Sequence, residues 1–285
     1  MKTAVIDVGG GMRAVYGAGI YDYLMDQNLY PFSFGIGVSA GASDLATYFA
    51  KQRGRVLRFY IVYPKRKEYK GLYPLLKYGM FMNLKYIYED LSLPGCEDPF
   101  DRDAFISSPS DMYLVATNAK TGKPVYFSKD DFISYGMKVM EASAALPVAC
   151  KPIAISDDLY FDGGISDPIP YMKAFEYGAD KVVVILTKPR NVRRDPEKDK
   201  WVVKALSKYP EAATAMSKRA EVYNSEMDAM DQYEREGKLL VIAPDDTCGI
   251  TTLKSREEDM MRLYHKGYAD ASMIMPFLGG KDGEI

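Results

Sequence analysis

The chain has 285 residues, 47% of them hydrophobic and 27% charged, with a formal net charge of −2. That length can bury a sizeable core, and the near-balanced charge speaks against a nucleic-acid partner. Cys96, Cys150 and Cys248 are few, odd in number and far apart, so they fit neither a disulfide framework nor a zinc site and suit a reducing compartment. The opening MKTAVIDVGGG lacks the apolar run of a signal peptide, and no later stretch reaches the ~18 apolar residues of a membrane span. A cytoplasmic protein is expected, in contact with membranes at most from the side.

Residues 3–8, TAVIDV, read as a buried strand ending at Gly9. Apolar positions at helical spacing follow over 13–28, then a strand at 33–38 that runs into Ser39 and a helix reaching about residue 52. Residues 51–90 hold ten Lys and Arg against Glu68, Glu89 and Asp90, interleaved with Tyr60, Tyr63, Tyr69, Tyr73, Tyr78, Phe81, Tyr86 and Tyr88. Two readings of that segment stay open: a surface leaning on anionic headgroups, or helices with solvated lysines and an aromatic core face.

Prolines and turn residues make 93–109 a loop. A strand is expected at 112–119 with a hairpin partner at 124–128, a helix at 134–146, and a strand or hairpin at 151–161. Residues 181–187, KVVVILT, are a further buried strand. Strands alternating with helices predict an α/β fold with a mainly parallel sheet covered on both faces. After Thr187 the sequence turns charged and irregular, then helical at about 200–236 and 255–277 with one strand at 238–244. The division expected is a core of residues 1–187 and a mostly helical extension of residues 188–285.

Within GIGVSAGASD, Gly37, Ser39 and Gly41 spell G-x-S-x-G, the pattern of a serine on a sharp strand-to-helix turn. Small residues flank the serine because the turn leaves no room, and the amides that open the helix can stabilise charge on a substrate carbonyl. The run Gly9, Gly10, Gly11 also has two readings. With Ala14 it matches a dinucleotide fingerprint, but that fold needs an acid at the end of the second strand, and the nearest, Asp26, lies in the preceding helix. Alternatively the run is a nest of exposed N–H groups suited to an oxyanion. Arg13 either braces that loop through its carbonyls or is a surface arginine.

The serine needs a base. His265, the one histidine, comes after Ser39 and Asp162 in the order of a hydrolase triad, yet it falls at the margin of a helix face. Asp162 ends an apolar approach, Leu159-Tyr160-Phe161, and precedes Gly163-Gly164. A carboxylate there can take a hydroxyl proton, or it can cap the turn. Asp157, Asp158 and Asp167 are nearby rivals.

VGGGMRAVYGAGI, GVSAG and FDGGISDPIP, in this order, resemble the patatin-like phospholipase family, and EASAALPVACKPI and KVVVILTK resemble its bacterial members. The resemblance covers nearly all of residues 1–187. It implies a three-layer α/β/α patatin-like fold and a lipid acyl hydrolase with a serine–aspartate dyad, no catalytic histidine and no cofactor or metal. By motif position Ser39 is then the nucleophile, Asp162 the base, and the amides of Gly10, Gly11 and Met12 the oxyanion hole. Gly9, Arg13, Gly37, Gly41 and Gly163 support them. The family's glycine after the arginine is Ala14 here. The partner implied is a lipid or other acyl ester. An acyltransferase with the same acyl-enzyme, or a lipid-surface binding protein with a vestigial site, is the alternative.

Overall fold

The computed structural model describes residues 1–253 and 255–279. Eight strands form one sheet: β1 Thr3–Asp7, β2 Phe34–Val38, β3 Asp111–Asn118, β4 Pro124–Phe127, β5 Ile153–Ile155, β6 Asp158–Asp162, β7 Lys181–Ile185 and β8 Leu239–Ile242. Their order is β5-β6-β3-β2-β1-β7-β8, with β4 pairing β3. From β3 through β8 the pairs are parallel; the β4, β5 and β6 pairings are antiparallel.

Every residue of β1 and β2 is buried, because helices cover both faces. Alternation along β1 decides which side chain meets which layer. Val5 points toward α1 (Val15–Asp26) and α2 (Ala40–Phe49), where Ile20, Leu24, Leu45 and Phe49 pack. Ala4 and Ile6 face the other layer, with Tyr171 and Ala174 and, from the long helix Pro210–Arg235, Tyr223, Met227 and Met230. The fold is a three-layer α/β/α sandwich.

The segment after Thr187 adds to both layers. β8 extends the sheet beside β7, and the helix Glu257–Asp270 lies along α1. That crossing is so close that a Cβ on Gly19 would overlap the Tyr264 carbonyl, and one on Gly267 the Tyr16 carbonyl. Among the described residues no helix is long and apolar enough to cross a membrane.

Several elements differ from the sequence reading. The stretch 93–109 contains the helix Arg102–Ser107, which Asp101 caps by accepting from the Ala104 N–H at 2.9 Å; six residues are too few to show a period. The helix expected at 134–146 is two, Lys129–Tyr135 and Lys138–Ser143, parted where Gly136 takes φ 64°. The one expected at 200–236 breaks ahead of Pro210, into Lys200–Ala205 and Pro210–Arg235. Toward the C-terminus, Glu257–Asp270 passes through a 3₁₀ turn into Ile274–Leu278.

Residues 51–90 divide between the two readings given them. Val56, Tyr60, Tyr63, Met82, Leu84, Ile87 and Tyr88 belong to the core under α2. Arg55 is buried too, 3.5 Å from Asp98. The helix Leu72–Tyr78, by contrast, exposes Leu72 at 73% and Leu76 at 86%.

Candidate active site

The parallel strands deliver their C-terminal ends to one place. β1 leads into Gly9–Gly11, β2 into Ser39 and β7 into Thr187, the position where α/β sheets present ligand sites. β3 brings in the fourth component through its register. Val38 stands opposite Val115, and Asp162, at the end of β6, stands opposite the next residue, Ala116.

Ser39 is buried at φ 58°, ψ −131°, a conformation that costs a non-glycine residue on the order of 1–3 kcal/mol and persists only when neighbours over-determine it. Here they do. The Ser39 N–H donates to Ser143 Oγ at 3.0 Å, and the helix α2 begins at once. A Cβ on Gly37 would overlap the Ala42 backbone, and one on Gly41 would overlap the Asp7 carboxylate. The small residues of the motif therefore meet close approaches on both sides of the turn.

Asp162 is buried, and its backbone is tied by its carbonyl, which accepts from the Thr117 hydroxyl at 2.9 Å. Its Oδ1 accepts from the Gly164 N–H at 2.8 Å, so the turn-capping reading holds for one oxygen. The other, Oδ2, is buried without an aligned donor. Burial holds the carboxyl above the usual carboxylate range, against the opposing pull of the Ser39 hydroxyl and of Arg219. The Ser39 hydroxyl and Asp162 line the same cavity, and the hydroxyl favours the charged form of the carboxyl. Gly163, which follows, sits where a Cβ would overlap the Val115 carbonyl.

Gly9, Gly10 and Gly11 take φ of 62°, 127° and 61°, three consecutive values open to glycine and rare for other residues. The loop is braced from beneath: the Gly9 N–H donates to Asp7 Oδ1 at 2.9 Å, and the Thr187 hydroxyl donates to the Gly9 carbonyl. Asp7 is fully buried and accepts from Tyr21 Oη at 3.0 Å as well; burial pushes its carboxyl up to about 6, against both hydrogen bonds.

Among the described residues no acceptor meets the N–H of Gly10 or Gly11, and both residues line the cavity that holds Ser39. Met12 differs. Its N–H donates to the Thr252 carbonyl at 3.1 Å and is not open to a ligand. Arg13 departs from both of its readings: it lines the cavity and donates through Nη1 to Thr252 Oγ1 at 3.2 Å rather than to the loop carbonyls.

The remaining candidates fall elsewhere. His265 is exposed on the helix Glu257–Asp270 and lines neither cavity that touches Asp162. Asp157 is exposed in the β5–β6 turn, and Asp158 starts β6. Asp167 is half-buried, accepting from the Tyr126 hydroxyl. Asp26 pairs with Arg53 at 2.9 Å, away from the glycine loop.

Sequence reasoning did not single out Asp7, Ser143, Thr187 or Thr252. Asp7 carried a signal, as the one charge in an apolar strand running into three glycines. Ser143 and Thr252 carried none, since each meets the site across more than a hundred residues of chain.

Two cavities meet at Asp162. One, of about 330 Å³, holds Ser39, Gly10, Gly11 and several cations. The other, of about 440 Å³, is lined by Phe81, Val148, Ile165, Trp201, Met216 and Leu253 among others, and is largely apolar.

A family model described as patatin-like phospholipase matches residues 8–175, and one described as a domain of unknown function matches residues 209–279. The uncharacterized protein YjjU of Escherichia coli (strain K12) is 28% identical over 202 residues, 69% of this chain and 55% of that protein. The chain therefore spans about half the length of this relative. The crystal structure of VipD from Legionella pneumophila aligns with 95% of this chain and 66% of its own, at a TM-score of 0.49 and 14% identity. The first match takes in more than half of the chain, including Ser39, Asp162 and the whole glycine loop. The chain belongs to the patatin-like phospholipase family.

Proposed function

We propose that the chain is a serine acyl hydrolase that cleaves lipid acyl esters through a Ser39–Asp162 dyad. The observation that carries this reading is the constrained Ser39, held at positive φ beside a buried carboxylate with one open oxygen and next to two open amides. Asp162 takes the Ser39 proton as Oγ attacks the ester carbonyl, and the oxyanion settles on the Gly10 and Gly11 N–H groups. As the tetrahedral species collapses, the C–O bond to the alcohol breaks and the alcohol leaves with the proton from Asp162. Water then attacks the acyl-enzyme, Asp162 takes its proton, and the carboxylic acid departs as Ser39 recovers its hydrogen.

The acyl chain fits the apolar cavity, which adjoins the same carboxylate. Its rim exposes Val148, and Trp201 at 61%. The helix Leu72–Tyr78 is tied to that rim: the Met82 N–H donates to the Ala149 carbonyl at 2.9 Å, and Lys151 Nζ to the Tyr78 carbonyl at 2.8 Å. Exposed leucines beside exposed Lys67 and Lys77 suit an anionic lipid surface from which substrate enters, with the protein cytoplasmic and peripheral.

The test is hydrolysis of a soluble p-nitrophenyl ester. Ser39→Ala and Asp162→Asn are each expected to lower kcat by roughly 10⁴-fold or more, and His265→Ala to leave it unchanged. Loss in His265→Ala equal to that in Ser39→Ala, with the fold intact, would replace the dyad by a triad.

A further inference from the structure

The hydrolytic step leaves part of the smaller cavity without a role. Arg13, Lys188, Arg193, Arg194, Lys198 and Arg219 line it beside Ser39, and carboxylates answer only some of them. Arg193 is satisfied by Asp228 at 2.6 Å. Arg219 donates through Nε to the Gly164 carbonyl at 2.7 Å and stands 3.8 Å from Asp199. Asp195 is engaged as a cap, accepting from the Glu197 N–H at 3.0 Å.

Among the described residues the other cations form no ion pair. Arg194 lies over the Tyr223 ring at 4.4 Å, and its Nε is buried with no partner although the residue as a whole is half-buried. Arg13 Nε is buried and unpartnered too. Lys188 has neither ion pair nor hydrogen bond among the described residues. Burial, then mutual repulsion, pushes the Lys188 ammonium down to about 8 and Arg194 down to about 9.

The Arg194 position is also fixed in advance. The Arg194 backbone is clamped to the long helix, its N–H donating to Asn224 Oδ1 at 2.8 Å and its carbonyl accepting from Asn224 Nδ2 at 3.0 Å. Enclosed cations held in place without partners are costly unless a ligand answers them. A phosphate dianion brings two charges and three acceptor oxygens, which suits guanidinium forks flanked by an ammonium.

We propose that Lys188, Arg194, Arg219 and Arg13 form a subsite for a phosphate monoester, so that the ester cleaved at Ser39 belongs to a molecule with a terminal phosphate, such as an acylglycerol phosphate. The phosphate occupies the cationic cavity and the acyl chain the apolar one, and the scissile carbonyl lies where the two meet at Asp162. The substrate half of this proposal rests on the hydrolase reading above; the anion subsite does not.

The test separates the two. Inorganic phosphate and glycerol 3-phosphate are titrated calorimetrically into full-length Ser39→Ala protein, with chloride as the control salt. Both are expected to bind, with affinity falling tenfold or more in Ser39→Ala combined with Lys188→Gln or with Arg194→Gln. Arg194→Lys, which keeps the charge, is expected to restore part of it and guards against a folding defect. In the Ser39 protein, kcat/KM for an acylglycerol phosphate is expected to exceed that for the monoacylglycerol of equal chain length at least tenfold. The ratio should collapse toward one in Lys188→Gln.

Absence of phosphate binding, or equal binding by the variants, overturns the subsite. Phosphate binding with no hydrolysis of any ester overturns the hydrolase reading and leaves the subsite standing. Phosphate binding with a kcat/KM ratio near one in the Ser39 protein overturns the substrate assignment and makes free phosphate the ligand.

Discussion

The two sides of the Ser39 cavity are built on opposite terms. On the side supplied by the strand ends, polar groups are matched within the chain: the Ser39 amide by Ser143, the Gly9 amide by Asp7, the Gly9 carbonyl by Thr187, and Asp162 Oδ1 by Gly164. On the side supplied by residues 188–219, Lys188 and Arg194 form no ion pair among the described residues, and burial with neighbouring cations pushes both of their pKa values down. The first side keeps its shape without ligand and leaves open only the groups that chemistry would use. The second is complementary to something from outside the chain. Perturbing the strand side should therefore change catalysis and stability, and perturbing the other should change response to anions.

The sharpest break of that contrast comes from Gly10. An added Cβ at its φ of 127° would crowd the Thr187 hydroxyl and displace an oxyanion donor. Gly10→Ala is expected to lower kcat roughly 10²–10³-fold, measured on the soluble ester. Next, saturating phosphate should stabilise the native protein by about 2.7 kcal/mol at a hundred times its dissociation constant, read from thermal melts, with the increment absent in Lys188→Gln.

Asp7→Ala leaves the Gly9 amide and the Tyr21 hydroxyl unpaired in the core, which should cost about 2 kcal/mol in urea unfolding and disturb the glycine loop. The pH profile follows from the sign of the Asp162 shift. Its base form is the carboxylate, and burial raises its pKa above 3.8. The acid limb of kcat/KM should therefore lie above the ordinary carboxylate range, activity falling as pH drops through it; a limb at or below 3.8 would remove Asp162 as the base. The smallest effect on stability belongs to Leu76→Glu, within about 0.5 kcal/mol, because that side chain touches little. The same change should weaken sedimentation with anionic vesicles.

The sequence made the strand side legible because its chemistry is local. β1, β2 and β7 are short apolar runs, the elbow occupies five consecutive residues, and three adjacent glycines announce a loop that excludes side chains. Asp162 was readable from its neighbours, though its register opposite Ala116, one step from Val38, belongs to the sheet alone. The cationic side was not legible. Residues 188–200 read as charged and irregular, and only folding against the long helix, through Asn224, Tyr223 and Asp228, brings Arg194 to the cavity. Thr252 was equally hidden, since it meets Met12 and Arg13 from the far end of the chain. In residues 51–90 the composition held a core half and an exposed half at once, and local pattern could not apportion them.

The central claim is that Ser39 is activated by Asp162 and by no histidine. Labelling with a fluorophosphonate probe, with the adduct located by peptide mass spectrometry, tests it most directly. The adduct is expected on Ser39, formed at the native rate in His265→Ala and at least a hundredfold more slowly in Asp162→Asn. An adduct on another residue, or native-rate labelling in folded Asp162→Asn protein, would contradict it.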